Sequence, residues 1–378
     1  MLVLVLAALV TGSAVFCVLV IVAARRFPKA ADGSSGAAIG ISVLKPLAGV
    51  DAGLEENLRA VFTQRYAEFE ILFAVREAGD EAVAVVKRLM AAYPAIPARL
   101  IVTGEPPYAN AKVYSLEQMT AAARYGLLAM CDSDIRVEPD FLERMAAEFA
   151  DEGLGVTTCP YRAVPGDSIW SRLEAMMMNT EFLSGILVAR MLEGMRFAVG
   201  PTIVARKKAI AAIGGWERLR DYLAEDFMLG QLAAANGAGV GLSPTIVEHH
   251  IAGSGTESFA ANAEHRLRWA RSTRRSRPAG YVGQVFTNPA PWALALAVAA
   301  FPEGLLLAGA AMTLRAAAAW AVAGGILRDP LCKRYWYMVP VADLVTFGFW
   351  IAGFFGNSIR WRGRQYRLGR DGRFARIV

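Results

Sequence analysis

The chain has 378 residues, of which 55% are hydrophobic, and its mean hydropathy is +0.35. That composition is too apolar for an ordinary soluble protein, and it indicates membrane segments beside one domain of about 200–250 residues. The net charge of +6 is concentrated in two arginine-rich stretches, 266–277 and 360–376. A basic patch can bind nucleic acid, anionic lipid or a diphosphate, but the neighbouring apolar segments favour a membrane over nucleic acid.

The cysteines are scattered along the chain and form no CxxC pair. They are Cys17, Cys131, Cys159 and Cys332. We interpret them as reduced thiols in the core or the membrane, which is consistent with a catalytic domain that faces the cytoplasm.

Residues 2–24 form an almost uninterrupted apolar run that is long enough to span a bilayer. No positively charged segment precedes the run, and no clear small-residue cleavage site follows it. Arg25, Arg26 and Lys29 come directly after it, and such a positive flank favours the cytoplasmic side. We therefore predict a transmembrane anchor over residues 1–24 rather than a cleaved signal peptide.

Alternating strand and helix patterns predict an α/β catalytic domain over residues 38–264. The predicted strands are Ile39–Leu44, Phe69–Val75, Arg99–Thr103, Leu127–Cys131 and Leu154–Cys159. The predicted helices are Leu54–Gln64, Ala82–Tyr93, Ser115–Tyr125 and Pro139–Ala150. This order predicts right-handed βαβ units on a mostly parallel sheet, an arrangement that commonly binds a nucleotide at the strand ends.

The predicted strand Leu127–Cys131 ends abruptly in Asp132, Ser133 and Asp134. Ligands of α/β sheets bind at the carboxyl ends of strands, and carboxylates at positions i and i+2 point to the same side of an extended chain. A hard divalent cation relieves their mutual repulsion, and Mg²⁺ or Mn²⁺ often keeps substrate phosphates among its ligands. The motif alone also fits an ordinary turn, because Asp and Ser favour turns.

Three further elements complete the predicted domain. Ser168–Leu192 is predicted to be a helix with a Met-rich face, which either packs in the core or lines a path for a lipid tail. Phe197–Val204 is predicted to be a strand interrupted at Gly200-Pro201, where the backbone can approach a ligand closely. A last helix opens within Tyr222–Phe227 and continues to Asn236.

The C-terminal part divides into a basic interfacial segment over 265–288, a membrane region over 289–356 and a basic cytoplasmic tail over 357–378. The apolar stretches of the membrane region are Pro289–Met312, Thr313–Leu327 and Tyr335–Gly356. If the catalytic domain and the tail both face the cytoplasm, the number of crossings between them is even. We therefore predict that the first stretch, broken at Pro302 and Glu303, is an interfacial or re-entrant hairpin, and that the other two span.

Charged residues recur at points where strands and helices are predicted to begin or end. They are Asp80, Asp132 with Asp134, Glu225-Asp226 and Arg268-Trp269. Each has an ordinary structural alternative: a helix cap for Asp80, a favourable helix N-terminus for Glu225 and Asp226, and a phospholipid-binding surface for the basic stretch. Their occurrence together, in this order and on an α/β background, favours an active site.

Six stretches of the chain carry a specific likeness. They are Ser42–Asp51, the acidic stretch ending in Asp80, Cys131–Val137, Leu223–Asp226, His265–Trp269 and Trp361–Leu368. In these the chain resembles family 2/21-type glycosyltransferases of the GT-A fold, and it is most similar to ceramide glucosyltransferases and the related hopanoid glycosyltransferases. The likeness covers nearly the whole chain. Its D, D(x)D, D, (Q/R)xxRW motif series has one departure, because His265 stands where the family has Gln or Arg, and the role of that position stays open.

The resemblance implies a site for a UDP-sugar and a divalent cation, Mn²⁺ or Mg²⁺. By that resemblance Asp80 contacts the uracil, Lys112 approaches the nucleotide, and Asp132 faces the sugar nucleotide. Asp132 and Asp134 are implied to hold the metal. A cation suits this place, because the departing UDP carries negative charge.

The resemblance also implies the groups on the acceptor side. Asp226 is implied to be the general base, while Arg268 and Trp269 close over the diphosphate and the acceptor. An inverting transfer needs one base that deprotonates the acceptor hydroxyl, and arginine binds a diphosphate through paired hydrogen bonds.

The pair His249-His250 suggests a zinc site, but neighbouring residues on a strand point to opposite faces. The chain has only three histidines and no cysteine spacing typical of zinc, so we favour an ordinary structural role for the pair.

The leading hypothesis is an integral membrane hexosyltransferase whose catalytic domain faces the cytoplasm, at the inner membrane if the source is bacterial. It transfers a hexose from a UDP-sugar to a lipid hydroxyl, with UDP-glucose and ceramide as the first choice. N-acetylglucosamine transfer to a hopanoid polyol and sugar transfer to diacylglycerol stay open. A processive polysaccharide synthase and a non-catalytic membrane scaffold are the remaining alternatives, and nucleic acid is not an expected partner.

Overall fold

The structure is a computed structural model that describes residues 1–29, 39–251, 258–361 and 363–377. Its strands are β1 (Ile41–Pro46), β2 (Phe69–Val75), β3 (Ala98–Val102), β4 (Leu127–Cys131), β5 (Ile135–Arg136), β6 (Leu154–Thr158), β7 (Tyr161–Val164), β8 (Thr202–Arg206), β9 (Gly239–Leu242), β10 (Val247–His250), β11 (Ser358–Trp361), β12 (Arg364–Leu368) and β13 (Phe374–Arg376). Its α-helices are α1 (Leu2–Arg25), α2 (Leu54–Phe62), α3 (Ala82–Ala92), α4 (Ala111–Ala122), α5 (Phe141–Glu148), α6 (Ile169–Glu193), α7 (Lys207–Ala212), α8 (Glu225–Ala235), α9 (Phe259–Ser276), α10 (Pro278–Gly283), α11 (Ala290–Ala299), α12 (Gly304–Ala319), α13 (Pro330–Tyr335) and α14 (Val339–Gly353).

A seven-stranded sheet in the order β3-β2-β1-β4-β8-β6-β9 organises the catalytic part of the chain. β1 to β4 pair in parallel and β6 pairs in parallel with β9, whereas β8 runs antiparallel to both β4 and β6. The predicted mostly parallel sheet is therefore confirmed. A small second sheet, β5-β10-β7, lies beyond the end of β4.

The central strands are apolar throughout because helices cover both faces of the sheet. Successive side chains of a strand point to opposite faces, so Val43 packs in one core with residues of α2, α3 and α5. Its neighbour Leu44 packs on the other face with residues of α4 and α8. Continuous burial of this kind is typical of parallel strands.

The prediction of a strand over Phe197–Val204 is wrong at its start. β8 begins only at Thr202 and continues to Arg206. Pro201 has no N–H to give to a neighbouring strand, and Gly200 has a φ of +89°, outside the range of extended backbone. The segment before Thr202 is therefore free to turn towards the carboxyl end of β4.

Three helices among the described residues are long and apolar enough to cross a membrane: Leu2–Arg25, Gly304–Ile326 and Pro330–Gly353. The predicted break at Pro302-Glu303 falls between α11 and α12 and is confirmed. The predicted boundary at Met312–Thr313 is wrong, because α12 runs through it without interruption. The residues on either side of that boundary include no proline, so nothing in the sequence ends the helix there.

A buried ion pair joins two of these apolar helices. Arg315 of α12 is 4% exposed, and its guanidinium donates to both carboxylate oxygens of Asp343 on α14, with the shortest distance 2.8 Å. It also donates to the carbonyl and the hydroxyl of Thr180 on α6. The arginine thus links two membrane-region helices to a long helix of the catalytic domain.

The arginine-rich stretch after residue 264 lies on α9, where part of it binds the end of α14. Arg271 and Arg274 donate to backbone carbonyls at the C-terminus of α14, including those of Phe355 and Gly356. Cations favour this end of a helix, because its last carbonyls lack partners within the helix. Arg271 and Arg274 therefore have a structural role, which is to bind the C-terminal end of α14.

The basic tail folds into a three-stranded antiparallel sheet, β11-β12-β13, which packs on the catalytic domain. The N–H of Phe374 donates to the carbonyl of Asp221 at 2.8 Å. An ion pair of 2.8 Å links Arg364 to Glu105. The chain thus returns from the membrane region to the loops that precede α4 and α8.

Candidate active site

The turn that follows β4 carries the first group of candidate residues, Asp132 and Asp134. The fully buried side chain of Lys45, at the end of β1, donates to the carbonyls of Asp132 at 2.9 Å and of Ile135 at 3.0 Å. The N–H of Asp132 donates to the carbonyl of Pro201 at 2.9 Å. These bonds fix the backbone of the turn, and they therefore fix the positions from which both carboxylates project.

Lys112, near the N-terminus of α4, bridges two of the predicted acidic elements. Its ammonium lies 2.7 Å from Oδ1 of Asp132 and 3.0 Å from Oε1 of Glu225. Asn110 caps α4, because its side-chain oxygen accepts from the N–H of Val113 at 3.1 Å. The N-termini of α4 and α8 therefore meet at the end of β4.

Asp226, in the first turn of α8, is held by backbone N–H groups. Its Oδ1 accepts from Phe227 at 2.8 Å, and its Oδ2 accepts from Gly200 at 2.9 Å. α8 comes this close to the 197–201 segment because Gly230 has no side chain, and a Cβ there would collide with the backbone of Ala198. The packing of α8 thus places the Asp226 carboxylate beside the turn that holds Asp132.

These side chains surround one cleft, which we call the acidic cleft. It has an empty volume of about 340 Å³ and combines three of the predicted site residues with an apolar floor. Its lining is Pro46, Lys112, Leu116, Met130, Cys131, Asp132, Gly200, Pro201, Ile203, Trp216, Glu225, Asp226 and Leu229. The structure therefore brings Lys112, Asp132 and Asp226 together at the carboxyl end of the parallel strands.

Burial and neighbouring charges shift the pKa values of these groups. Burial raises the pKa of the Asp226 carboxyl to about 6, and the charge of Glu225 raises it further while Lys112 opposes it. Burial disfavours the charged form of Lys112, but Asp132 and Glu225 outweigh that effect and raise its pKa. The cleft thus contains a permanent cation and a carboxylate that is poised to exchange a proton near neutral pH.

Asp134, two residues further along the turn and outside the lining of the acidic cleft, lies against His249 of β10. Nε2 of His249 is 3.0 Å from Oδ2 of Asp134. Burial opposes ionisation of Asp134, but the imidazole outweighs it and holds the pKa of this carboxyl below its ordinary value. The two histidines do point to different partners, since His250 contacts Glu248, but His249 belongs to the candidate site.

The turn has features that fit a divalent cation. Oδ1 of Asp134 is buried without a hydrogen-bond partner, although a carboxylate in that position needs one. Within the described ranges, no set of three or more His, Cys, Asp or Glu side chains forms a complete ligand cage. A pair of carboxylates that leaves positions for water and phosphate oxygens is typical of Mg²⁺ and Mn²⁺ sites.

Asp80 follows β2 and connects two loops at the same edge of the sheet. Both of its carboxylate oxygens lie 3.1 Å from the N–H of Gly49, which follows β1, and Oδ1 also accepts from Ala82 at 2.9 Å. The alternative of a cap for α3 therefore describes these contacts well. Asp80 lies outside the lining of the acidic cleft, and contact with a uracil stays a prediction.

The HRLRW stretch lies on α9, also outside that lining. Arg266 is the residue that fixes it, because its guanidinium lies 2.7 Å from the fully buried carboxylate of Glu174 on α6. His265 packs on Trp269 with 4.4 Å between ring centroids, and its Nδ1 is 3.6 Å from Glu174. Arg268 is close enough for its charge to act on His265. Closure of Arg268 and Trp269 over a substrate stays a prediction.

Two residues of the site, Lys45 and Asn110, were missed in the sequence, and two others, Gly200 and His249, were noted without the partners that they contact. All four act through the tertiary structure, and each touches a group that is far away in the chain. The signal that could have found Lys45 is a lysine at the end of an otherwise apolar strand, because a lysine is almost never fully buried without partners. The sequence around His249 gave no signal that its side chain would meet Asp134.

Comparisons with known proteins identify the family and the fold. The model of glycosyl transferase family 21 matches residues 3–374. Ceramide glucosyltransferase 1 of Caenorhabditis elegans is 32% identical over 206 residues, which is 54% of this chain and 44% of that protein. Ceramide glucosyltransferase 3 of the same organism is 32% identical over 200 residues, 52% of this chain and 43% of that protein. The matched part thus spans less than half the length of these relatives.

A solved structure supports the fold. A mannosyltransferase from Pyrobaculum calidifontis, determined in complex with GDP-Man and Mn²⁺, superimposes with a TM-score of 0.54 at 17% identity. The likeness covers 93% of this chain and 99% of that one. It confirms the expected GT-A fold, and with the match of the family model over nearly the whole chain it leads to one assignment: this chain belongs to glycosyl transferase family 21.

Proposed function

We propose that this protein is an inverting, membrane-bound glycosyltransferase that transfers glucose from UDP-glucose to the primary hydroxyl group of ceramide. The observation that carries the proposal is the placement of Asp132, Lys112 and Asp226 around one cleft, beside helices that are apolar enough to cross a membrane. Two of the curated relatives are named ceramide glucosyltransferases, which supports the choice of glucose as the sugar and ceramide as the acceptor.

On the donor side, Asp132 and Asp134 would hold Mn²⁺ or Mg²⁺, which neutralises the charge of the diphosphate when it is bound. Lys112 is the cation that the chain itself supplies, and its ammonium already lies against Asp132. A diphosphate placed at the mouth of the cleft would meet this ammonium. Lys45 keeps the turn rigid, so the carboxylates need not reorganise during the reaction.

On the acceptor side, Asp226 would take the proton of the lipid hydroxyl. The oxygen of that hydroxyl then forms a bond with the anomeric carbon, and the bond from this carbon to the phosphate oxygen breaks, with its electron pair leaving on UDP. The Asp226 carboxylate is oriented by Gly200 and Phe227. A pKa of about 6 leaves it mostly ionised at neutral pH, yet basic enough to accept a proton.

We place the catalytic domain on the cytoplasmic side. Arg25 is the last residue of α1 and Arg26 follows it, and the tail that follows α14 is rich in arginine. Positive charges near the ends of membrane helices favour the cytoplasm. α1 leads into the catalytic domain, while Gly304–Ile326 and Pro330–Gly353 could form one excursion through the bilayer and back.

The test is a transfer assay on membranes that express the chain. Radiolabelled UDP-glucose and UDP-N-acetylglucosamine are each offered with ceramide, a hopanoid polyol or diacylglycerol, with and without EDTA. The expected product is glucosylceramide, formed by the wild type and not by Asp226→Asn. Membranes from cells without the chain provide the background.

The other outcomes assign other functions. A lipid product with a different sugar or acceptor would keep the mechanism and change the substrates. A long polymer would replace the proposal by a polysaccharide synthase. No transfer and no UDP-sugar hydrolysis with any pair, in the presence of Mn²⁺ or Mg²⁺, would leave a non-catalytic membrane scaffold.

A further inference from the structure

The tail sheet, by which we mean β11, β12 and β13, has a small apolar core. That core consists of four buried side chains: Ile359, Tyr366, Leu368 and Phe374. Ala109 and Leu223 of the catalytic domain pack against it. A sheet of three short strands buries too little surface to fold alone, so its folding depends on this contact with the catalytic domain.

The two contact residues lie at equivalent places in the chain, each three residues before a side chain of the acidic cleft. Ala109 precedes Lys112, which lies in the first turn of α4. Leu223 precedes Asp226, which lies in the first turn of α8. The apolar core of the tail sheet therefore packs on the two loops that lead into these helices.

The tail sheet also binds the main chain of the loop that enters α8. The N–H of Phe374 donates to the carbonyl of Asp221 at 2.8 Å. Arg373 pairs with Tyr222 in an antiparallel bridge, and its guanidinium lies 5.4 Å from the centroid of the Tyr222 ring. The loop is thus held as a short partner of β13, and its backbone cannot shift without breaking these contacts.

The buried residue Asn110 joins the loop before α8 to the start of α4. Its N–H donates to the carbonyl of Arg220 at 3.2 Å, and its side-chain amide donates to the carbonyl of Tyr222 at 2.8 Å. The same side chain caps α4 by accepting from the N–H of Val113. Because the two helix starts are bonded to each other, a contact that fixes one of them also restrains the other.

The ion pair between the tail sheet and the catalytic domain is a weaker contact. Arg364 lies 2.8 Å from Glu105, but the side chain of Glu105 is 57% exposed. Exposed ion pairs stabilise a protein little, because water screens the charges and two flexible side chains lose conformational freedom. The apolar core and the main-chain bonds therefore account for most of the docking of the tail sheet.

We propose that the tail sheet is a positioning element of the active site. By packing on Ala109 and Leu223 it holds the first turns of α4 and α8, and thereby the side chains of Lys112 and Asp226. The tail sheet acts through the two loops rather than by contact with the substrate. This inference rests on the proposed function for the roles of Lys112 and Asp226, and it assigns a use to the stretch Trp361–Leu368.

Hydrogen exchange of the full-length chain in detergent tests the effect of the tail sheet on the two helix starts. Phe374→Ala removes a ring from the core of the tail sheet. Exchange in peptides that cover residues 110–116 and 222–230 is expected to become about tenfold faster, because these segments open more often. Exchange in α3 should not change, since α3 packs on the other face of the central sheet.

Ile377→Ala is the matched control for this experiment. Its apolar side chain follows the same strand but is 38% exposed, so both peptides should exchange as in the wild type. Exchange in both peptides of Phe374→Ala at the rate of the wild type would overturn the proposal.

The wild type provides a test that stays valid if a variant does not fold. If docking of the tail sheet favours the geometry that binds UDP, UDP must favour docking to the same extent. Addition of UDP with Mn²⁺ is therefore expected to slow exchange in β12 and β13 about fivefold. Slower exchange around Lys112 without any change in β12 and β13 would overturn the proposal.

Binding and turnover distinguish positioning from a loss of folded protein. In Phe374→Ala, kcat for transfer should fall about 10–100-fold, because a misplacement of about 1 Å at the reacting groups can cost this much. The Kd for UDP should rise about fivefold, with the number of sites per chain unchanged. Phe374→Leu, which keeps an apolar side chain in the core, should recover most of both losses. Fewer UDP sites per chain, at an unchanged Kd and an unchanged turnover per site, would show unfolding alone and would contradict a positioning role.

The outcomes separate this inference from the proposed function. If wild-type membranes make no glycolipid and UDP does not bind, but exchange around Lys112 and Asp226 still rises in Phe374→Ala, the proposed function fails and the positioning stands. If glycolipid forms and Phe374→Ala keeps the turnover and the exchange rates of the wild type, the positioning is wrong and the function stands.

Discussion

The backbone N–H of Gly200 donates a 2.9 Å hydrogen bond to Oδ2 of Asp226, a residue that belongs to a different element of the domain. Gly200 has a φ of +89°, which a residue with a side chain rarely adopts, and a Cβ there would lie 3.6 Å from the ring of Tyr161. The strand that follows can therefore start late, and the N–H of Gly200 is free to orient a carboxylate. This contact orients the carboxylate that we propose as the base.

Replacing Asp226 by Asn should lower turnover by about 10²–10⁴-fold, since an amide cannot accept the proton of the acceptor hydroxyl. Affinity for the UDP-sugar should stay within about threefold of the wild type, because the change is isosteric and the base acts on the acceptor. Transfer rates and equilibrium binding of UDP-glucose measure the two effects. Asp221→Asn is the control, a half-exposed aspartate on the segment before α8. Full activity of Asp226→Asn would remove this residue from the role of base.

The pH dependence follows from the raised pKa of Asp226, about 6. A general base works only when it is ionised, so kcat/KM should fall about tenfold per pH unit below this pKa and level off above it. Glu225→Gln should move this acidic limb to lower pH, because the negative charge of Glu225 disfavours ionisation of its neighbour. Glu217→Gln, whose side chain is 73% exposed, should leave it unchanged. A limb that stays in place in Glu225→Gln would contradict this account.

The buried ammonium of Lys45 holds the turn that carries Asp132 and Asp134. Lys45→Met leaves the carbonyls of Asp132 and Ile135 without their donor, and a buried acceptor without a partner costs about 1–3 kcal/mol. The free energy of unfolding of the variant is expected to be lower by about 2–4 kcal/mol, and its affinity for the UDP-sugar should also be lower. Thermal unfolding in detergent and UDP binding provide the measurements. Lys87→Met, at an exposed position on α3, should behave like the wild type in both.

The pair of Arg315 and Asp343 predicts a non-additive pair of substitutions. Arg315→Leu leaves a buried carboxylate without its cation, which costs about 3–5 kcal/mol, and Asp343→Leu leaves the guanidinium in the same state. The double variant should recover most of that loss in stability, because the two leucines can pack together and leave no buried charge without a partner. Melting temperatures in detergent for the four proteins give the coupling energy. Single variants with the melting temperature of the wild type would show that the pair does not stabilise the folded protein in this way.

Metal removal should abolish transfer, because the departing diphosphate would lose the cation that Asp132 and Asp134 are proposed to hold. Activity lost in EDTA should return on addition of Mn²⁺ or Mg²⁺ in excess. Asp134→Asn should need a higher concentration of Mn²⁺ for half-maximal activity, whereas Asp140→Asn, beyond the turn, should not. Enzyme that remains fully active after prolonged chelation would contradict a metal site at this turn.

The sequence was sufficient for the alternation of elements, and therefore for the fold. Strands such as β2 were predicted with their observed limits, because they are buried on both faces and their apolar residues form one uninterrupted run. The DSD turn and the acidic pair at the start of α8 were also visible, since charged residues directly after or before such patterns stand out locally. Local signals of this kind depend only on neighbours in the chain.

The tertiary structure decided what those residues do. That Lys112 bridges Asp132 and Glu225, that Gly200 orients Asp226, and that His249 reaches Asp134 depends on contacts between residues about 20 to 115 positions apart. Periodicity and propensity carry no information about which distant elements meet. The arginine-rich stretches show the same limit. Their charge was evident in the sequence. Their contacts with the end of α14, and those that join the tail to the catalytic domain, depend on tertiary packing.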